Sequence, residues 1–226
     1  MSNLYIVIPA YQPDLFLIGF VNELLNLGYK VLVVNDGSTK EQSNEVFCAL
    51  NAVCTVLNHP KNMGKGVALK TAMKYLLKEV KNNIAGIITV DCDAQHLISD
   101  IEIIANQLRN DTNSFHLGIR KFSLKKTPFR NYIGNRLSSI ILFLKKGVFI
   151  HDTQTGLRGI PFDLLGKLVD VDGNRFEYET NVLLYLIKEK IIIKQHEITC
   201  KYNKNNESHF HPIKDSINII NSVLFK

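Results

Sequence analysis

The sequence predicts an α/β protein, a mostly parallel sheet with helices on both faces, folded as a single domain over residues 1–226. Three observations lead there. Short runs rich in β-branched residues recur at regular intervals, and the stretches between them carry a helical period. The runs are nearly all apolar rather than alternating, as strands buried on both faces must be. In order they fall at Leu4–Ile8, Val31–Val34, Cys54–Leu57, Gly86–Val90 and His116–Ile119. Residues 14–27 place Leu15, Ile18, Val21, Leu24 and Leu25 on one stripe and stop at Gly28, a suitable C-cap. Residues 67–80 place Leu69, Ala72, Met73, Leu76 and Val80 on another. From about Lys121 the alternation loosens. There the pattern predicts a helix over 130–146, a polar loop over 151–159, a helix over 176–189, a strand near 191–200 and an amphipathic helix over 212–224.

Composition narrows the class. Apolar residues at 46% and charged residues at 21% suit a globular core rather than a disordered chain. Cys48, Cys54, Cys92 and Cys200 form no C-x-x-C pair and no disulfide framework, so they read as reduced thiols of a cytoplasmic protein. The N-terminus enters its first strand without a basic leader, and no apolar run approaches the roughly 18 residues of a spanning helix. The expectation is a soluble protein, or one peripheral to the inner face of a membrane. A net charge of +6 favours an anionic partner. Nucleic acid is not that partner, because basic and aromatic residues are not interleaved.

In a parallel sheet, ligands bind beyond the carboxyl ends of the strands, where every strand-to-helix loop emerges. Four polar loops fall there: Pro9-Ala10-Tyr11, Asn35-Asp36-Gly37-Ser38, the stretch from Asn58 to Gly66, and Asp91-Cys92-Asp93-Ala94-Gln95. Asp91 and Asp93 stand two residues apart in an extended segment, so both carboxylates can face one ligand. With Gln95 they offer hard oxygen donors for Mg²⁺ or Mn²⁺ shared with a diphosphate. The alternative is a helix cap beside a solvated loop residue. Asp36 is read either as an acceptor for a nucleobase or ribose or as a helix cap, with Ser38 or Thr39 able to take the cap. Asn62-Met63-Gly64-Lys65-Gly66 opens a helix, where glycines permit close approach, the helix N-terminus favours anions and Lys65 adds charge. It lacks the glycine spacing of a Walker loop. It also follows the third strand rather than the first, which excludes a dinucleotide fingerprint.

Together these pieces resemble the family 2 glycosyltransferases. The matching residues are Ile8-Pro9-Ala10-Tyr11, Val34 to Ser38, Asn62 to Gly66 and Val90 to His96, in the family's order and spacing. The second half resembles the branch of dolichol-phosphate mannose synthases and bacterial polyprenyl-phosphate glycosyltransferases. The match there runs through Leu117-Gly118-Ile119-Arg120, Arg130, Asn135-Arg136, Asp152 to Gly159, Arg175 to Glu179, and Ser208-His209-Phe210. The resemblance implies a Rossmann-like α/β sheet of the GT-A kind, with 1–120 binding a nucleotide-sugar and 121–226 serving the acceptor. It implies that Pro9, Ala10, Tyr11 and Asp36 hold the nucleoside of a UDP- or GDP-sugar, with Lys65 supporting that pocket. Asp91, Asp93 and Gln95 would hold metal and diphosphate, and Arg120, Arg136, Arg158 and His209 would meet the phosphates of donor and acceptor. One departure stands out. Relatives often read Tyr-Asn-Glu in the first motif, whereas Gln12-Pro13-Asp14 follows Tyr11 here.

The expected chemistry is inverting transfer, in which an acceptor oxygen displaces a nucleoside diphosphate at the anomeric carbon. A hydroxyl acceptor needs a general base, for which Asp152 is the candidate, unless it is a structural carboxylate paired with Arg158. A polyprenyl phosphate is already ionised and needs none, which suits the arginines of the second half. Glu177 and Glu179 near a helix start are explained by its dipole. Ile133, Leu137, Ile140, Ile141 and Leu144 form a stripe that either faces a membrane surface or packs in the core. A sugar-1-phosphate nucleotidyltransferase would show a glycine-rich, arginine-bearing loop after the first strand, and this chain does not. A non-catalytic nucleotide-binding module has no evident use for Asp91, Asp93 and Arg158 together.

Overall fold

The computed structural model describes residues 3–80, 84–93, 95–120, 139, 143 and 147–199. The expected helices over 130–146 and 212–224, with the apolar stripe of the former, therefore lie outside the described residues or rest on too few of them. The rest of the first half follows the expected order: β1 (Asn3–Ala10), α1 (Phe16–Asn26), β2 (Lys30–Asn35), α2 (Glu41–Asn51), β3 (Thr55–Asn58), α3 (Lys65–Glu79), β4 (Ile84–Thr89), α4 (Ile98–Asn110) and β5 (Phe115–Arg120). Then come β6 (Arg158–Pro161), α5 (Phe162–Val169), α6 (Glu177–Lys188) and β7 (Ile193–Ile198).

The strands form one sheet in the order β3-β2-β1-β4-β6-β5-β7. Neighbours run parallel except at β6, which is antiparallel to both β4 and β5. The loop expected over 151–159 is found over 151–157, and its last two residues, Arg158 and Gly159, open this strand instead. Arg158-Gly159-Ile160-Pro161 is too short and too rich in glycine and proline to read as a strand. It forms because β4 presents a ladder that pairs Thr89 with Arg158 and Gly86 with Pro161. Gly86 is required there, since a Cβ would collide with the Ile160 carbonyl. A strand from the second half thus sits between two from the first, and the halves share one sheet.

The core lies on both faces, which is why the strands read as continuous apolar runs. Val7, Leu32, Val34, Ile87 and Phe115 pack with α3, α5 and α6 on one side. Ile6, Ile8, Val31, Val33 and Ile88 pack with α1, α2 and α4 on the other. Alternate residues of a strand point to opposite faces, so Val7 and Ile8 enter different layers. Pro9 lies where β1 outruns its neighbour. Val90 N–H donates to the Val7 carbonyl at 3.0 Å, and the pairing of β1 with β4 ends there, so a missing N–H two residues on breaks no ladder bond. No helix among the described residues is long and apolar enough to cross a membrane.

Candidate active site

The parallel strands β1, β2, β4 and β5 all end at one edge, and antiparallel β6 begins there. Pro9 and Ala10 are buried in the last turns of β1, and Tyr11 beyond them is half-buried. Gln12 follows with φ of 53°, a left-handed conformation uncommon for a side-chain-bearing residue. Four hydrogen bonds hold it there. Its N–H and Nε2 donate to the hydroxyls of Ser38 and Thr39 at 2.9 and 3.1 Å. Its Oε1 accepts from Lys40 N–H at 3.0 Å and Ser43 Oγ at 3.1 Å. The helix α2 begins after Lys40 without a side-chain cap of its own, so Gln12 of another loop takes the place expected for Ser38 or Thr39. The departure from the family's first motif is thereby a clasp between two site loops.

Asp36 is 3% exposed and faces inward. Its Oδ1 accepts from Met63 N–H at 2.9 Å, its Oδ2 from Gly64 N–H at 2.8 Å, and His59 Nδ1 lies 2.7 Å from Oδ1. His59 Nε2 is in turn 2.9 Å from the Thr71 hydroxyl on α3. Neither reading from the sequence foresaw this: Asp36 anchors the turn that starts α3. The approach is close enough that Gly37, with φ of 69°, has no room for a Cβ against Lys61 and Asn62.

That turn delivers Lys65. Gly64, with φ of 102°, precedes it, and a Cβ at Gly66 would come within 2.6 Å of Tyr178 Cβ on α6. The Lys65 ammonium lies 2.6 Å from Asp91 Oδ1 and 2.8 Å from Glu179 Oε2. Asp91 Oδ2 faces His96 Nε2 at 3.4 Å. Behind Asp91 stands Gly156, where any Cβ would collide with the carboxylate. Thr89 fixes that backbone by donating to the Gly156 carbonyl at 2.7 Å.

Charge and burial oppose each other here, and charge prevails. Burial by itself would lower the Lys65 ammonium, but Asp91 and Glu179 hold it well above its usual range. Burial by itself would raise Asp91, but Lys65 and His96 hold it well below. Asp93 moves the other way, raised by burial and by the negative charge of Asp91. Between them the Cys92 thiol is pushed up to about 12 by burial and both carboxylates, and stays protonated. Gln95 donates from Nε2 to Asp93 Oδ2 at 2.6 Å, which places it beside the two carboxylates.

Two arginines close the edge. Arg120 grips Asp152 through both oxygens, Nε to Oδ2 at 2.6 Å and Nη2 to Oδ1 at 3.0 Å. Asp152 is fully buried, and its partner is Arg120 rather than the expected Arg158. Arg158 is 2% exposed. It donates to the carbonyls of Thr155, Glu179 and Thr153 at 2.9, 2.8 and 3.3 Å. These bonds form an internal clamp that ties the loop before β6 to α6. Arg136 and His209 lie outside the described residues, as do Arg130, Asn135 and Ser208-His209-Phe210.

Glu179, Gly156 and His96 were not singled out as site residues. Glu179 is 4% exposed and its Oε1 has no hydrogen-bond partner among the described residues. The signal was available in Glu177-Tyr178-Glu179, but a dipole explanation suffices for a carboxylate at a helix start; Glu177 fits it by accepting from Asn174 and Arg175 N–H at 2.9 and 3.1 Å. A divalent cation fits the donor set. Two hard carboxylates stand two residues apart, and one is raised by burial and then by the other's charge, a repulsion that a cation would relieve. No three His, Cys, Asp or Glu among the described residues group as a protein-only metal cage. Mg²⁺-type sites commonly need only one or two carboxylates when substrate phosphates complete them.

Residues 5–169 match the family model described as glycosyl transferase family 2, and the chain belongs to that family. It is a glycosyltransferase of GT-A fold. It is 28% identical over 220 residues to the UDP-N-acetylglucosamine–dolichyl-phosphate N-acetylglucosaminyltransferase of Methanococcus voltae, covering 89% of this chain and 86% of that one. It is 26% identical over 176 residues to a dolichyl-phosphate beta-glucosyltransferase of Trichomonas vaginalis, covering 69% and 52%. Among solved structures, glucosyl-3-phosphoglycerate synthase from Mycobacterium tuberculosis, crystallised with Mn²⁺, uridine diphosphate and phosphoglyceric acid, superimposes with a TM-score of 0.74. That match has 13% identity and covers 99% of this chain and 78% of the other.

Proposed function

We propose that this chain transfers a sugar, with inversion, from a nucleotide-sugar to a polyprenyl phosphate such as undecaprenyl or dolichyl phosphate, in cell-surface glycan synthesis. The observation that carries the reading is the convergence of Lys65, Asp91 and Glu179 at the end of β4, beside Asp93. The names of the Methanococcus and Trichomonas relatives support a lipid-phosphate acceptor, and the former supports a UDP-sugar over a GDP-sugar.

In this reading Pro9, Ala10, Tyr11 and the loop braced by Asp36 receive the nucleoside, and Asp91 and Asp93 hold Mg²⁺ or Mn²⁺ with Gln95 orienting Asp93. Bound there, the metal would stabilise the charge that grows on the departing nucleoside diphosphate. Lys65 supplies a fixed positive charge at the N-terminus of α3, where the helix dipole also favours phosphate. An oxygen of the acceptor phosphate attacks the anomeric carbon as the bond to the diphosphate breaks. No proton has to be removed, because that phosphate is already an anion. Arg120, whose side chain is 17% exposed, is proposed to meet it together with Arg136 and His209. A saccharide hydroxyl as acceptor, with Asp152 as base, is disfavoured by the bidentate hold of Arg120 on that carboxylate. The protein would then work at the inner face of the membrane where its acceptor resides.

The test is a screen of sugar nucleotides for stabilisation that requires Mn²⁺ or Mg²⁺, followed by assay of the best donor with polyprenyl phosphate. Transfer that disappears in chelator and in Asp93→Asn, with the fold retained, is expected. Full transfer in either condition contradicts the assignment.

A further inference from the structure

Lys65 occupies the position that an incoming cation would need. Its ammonium sits 2.6 Å from Asp91 Oδ1, His96 faces Oδ2 at 3.4 Å, and Gly156 closes the carboxylate from behind. Glu179 keeps the ammonium in reach from the other side at 2.8 Å, and the Phe176 ring lies under it at 5.9 Å. We propose that Lys65 is a resident counter-cation of Asp91 that competes with the divalent metal and is drawn away by a donor's diphosphate, so that metal and nucleotide bind as a coupled pair. This rests on the reading of Asp91 and Asp93 as metal carriers given above.

The physical argument is a balance of charge. In the free protein Asp91 is already neutralised, and a second cation sharing it would be repelled by the ammonium at close range in a partly buried site. A diphosphate changes both sides of that balance. It brings negative charge to the N-terminus of α3, where Lys65 is the first residue. The ammonium then has a partner other than Asp91, and the carboxylate is released to the metal. Glu179 holds the lysine within the site, so the exchange is a local swing rather than an unfolding of the turn. Linkage makes the effect reciprocal: whatever factor the nucleotide adds to metal affinity, the metal adds to nucleotide affinity. Free metal would leave the site largely alone, and nucleotide without metal would bind weakly.

The experiment follows Mn²⁺ binding to the full chain by the electron paramagnetic resonance of the free ion, with and without UDP. The wild-type protein is expected to bind Mn²⁺ alone weakly and roughly tenfold or more tightly with UDP, within the usual span of coupling between sites. Lys65→Gln should bind Mn²⁺ alone more tightly than wild type and lose most of the UDP effect, whereas Lys65→Arg, which keeps the charge, should stay weak on Mn²⁺ alone. If the buried carboxylates left by Lys65→Gln prevent folding, the double variant Lys65→Gln with Glu179→Gln removes one charge of each sign and is read the same way. A variant lacking the Lys65 charge that binds Mn²⁺ alone no more tightly than wild type, with the UDP effect intact, overturns the proposal and leaves the metal reading standing. Absence of Mn²⁺ binding in every protein even with UDP overturns both.

Discussion

Asp91 has a lysine on one oxygen, a histidine on the other and a glycine at its back, so its position is set from three sides. The Gly156 requirement is one of space, and Gly156→Ala is expected to push Asp91 off Lys65. Transfer should fall at least tenfold, a barrier increase of about 1.4 kcal/mol or more, while the melting temperature moves little. Steady-state rates beside a thermal melt check it; an unchanged rate would mean the loop yields without cost. Asp91 and Asp93 were legible because two carboxylates after a buried strand form a local pattern. Glu179 was not, because it lies 114 residues from Lys65 along the chain and only the folded sheet brings them together. For Arg158 the residue type was legible and its bonds inside the fold were not. A guanidinium in a polar loop reads as a phosphate ligand until the burial that turns it onto three carbonyls is known.

At the scale of elements, the start of α3 depends on a carboxylate from another loop. Removing it in Asp36→Ala strands the N–H groups of Met63 and Gly64 and a buried His59, and is expected to cost about 2–4 kcal/mol of stability. Denaturant melts measure that cost, and calorimetry with UDP separates it from nucleoside binding. Loss of UDP affinity without loss of stability would return Asp36 to direct contact with the nucleoside. Helices α1 and α3 were legible from their apolar stripes, and the strands from their β-branched runs. Strand β6 was not, since its four residues have no pattern of their own and become a strand only because β4 and β5 leave a gap for it. The Gln12 clasp was hidden for a related reason. Its four partners lie 26 to 31 residues away, in the loop before α2 and in the first turn of that helix.

Across the whole molecule, the sheet gathers its loops at one edge while the far end of its last strand pair carries a pH-sensitive contact. His116, fully buried in β5, faces the Asp111 carbonyl with Nε2 at 2.7 Å and His196 of β7 with Nδ1 at 3.0 Å. Donation to a carbonyl places the His116 proton on Nε2, so His196 must donate to Nδ1, an arrangement that suits two neutral rings. Burial, then His116, then Lys194 lower His196 below its ordinary value of 6.5, and Lys194 itself pairs with Asp111 at 2.7 Å. A base whose pKa is depressed by folding stabilises the fold fully above its unfolded value and loses that contribution as pH falls. Stability should therefore decline as pH drops below about 6.5, and His196→Gln should flatten the decline; urea melts between pH 8 and 5.5 that show the same slope in both proteins would contradict this. The fold class was legible at this scale because period and apolarity repeat along the chain. The pairing of Arg120 with Asp152 was not, since the two become partners only in three dimensions. The most direct measurement therefore gives the purified chain one sugar nucleotide, Mn²⁺, and either polyprenyl phosphate in vesicles or a free saccharide, and identifies the product by mass spectrometry. A glycosylated polyprenyl phosphate of inverted anomeric configuration is the predicted result. Sugar found only on the saccharide, in a reaction abolished by Asp152→Asn in protein that remains folded, would contradict the lipid-phosphate reading.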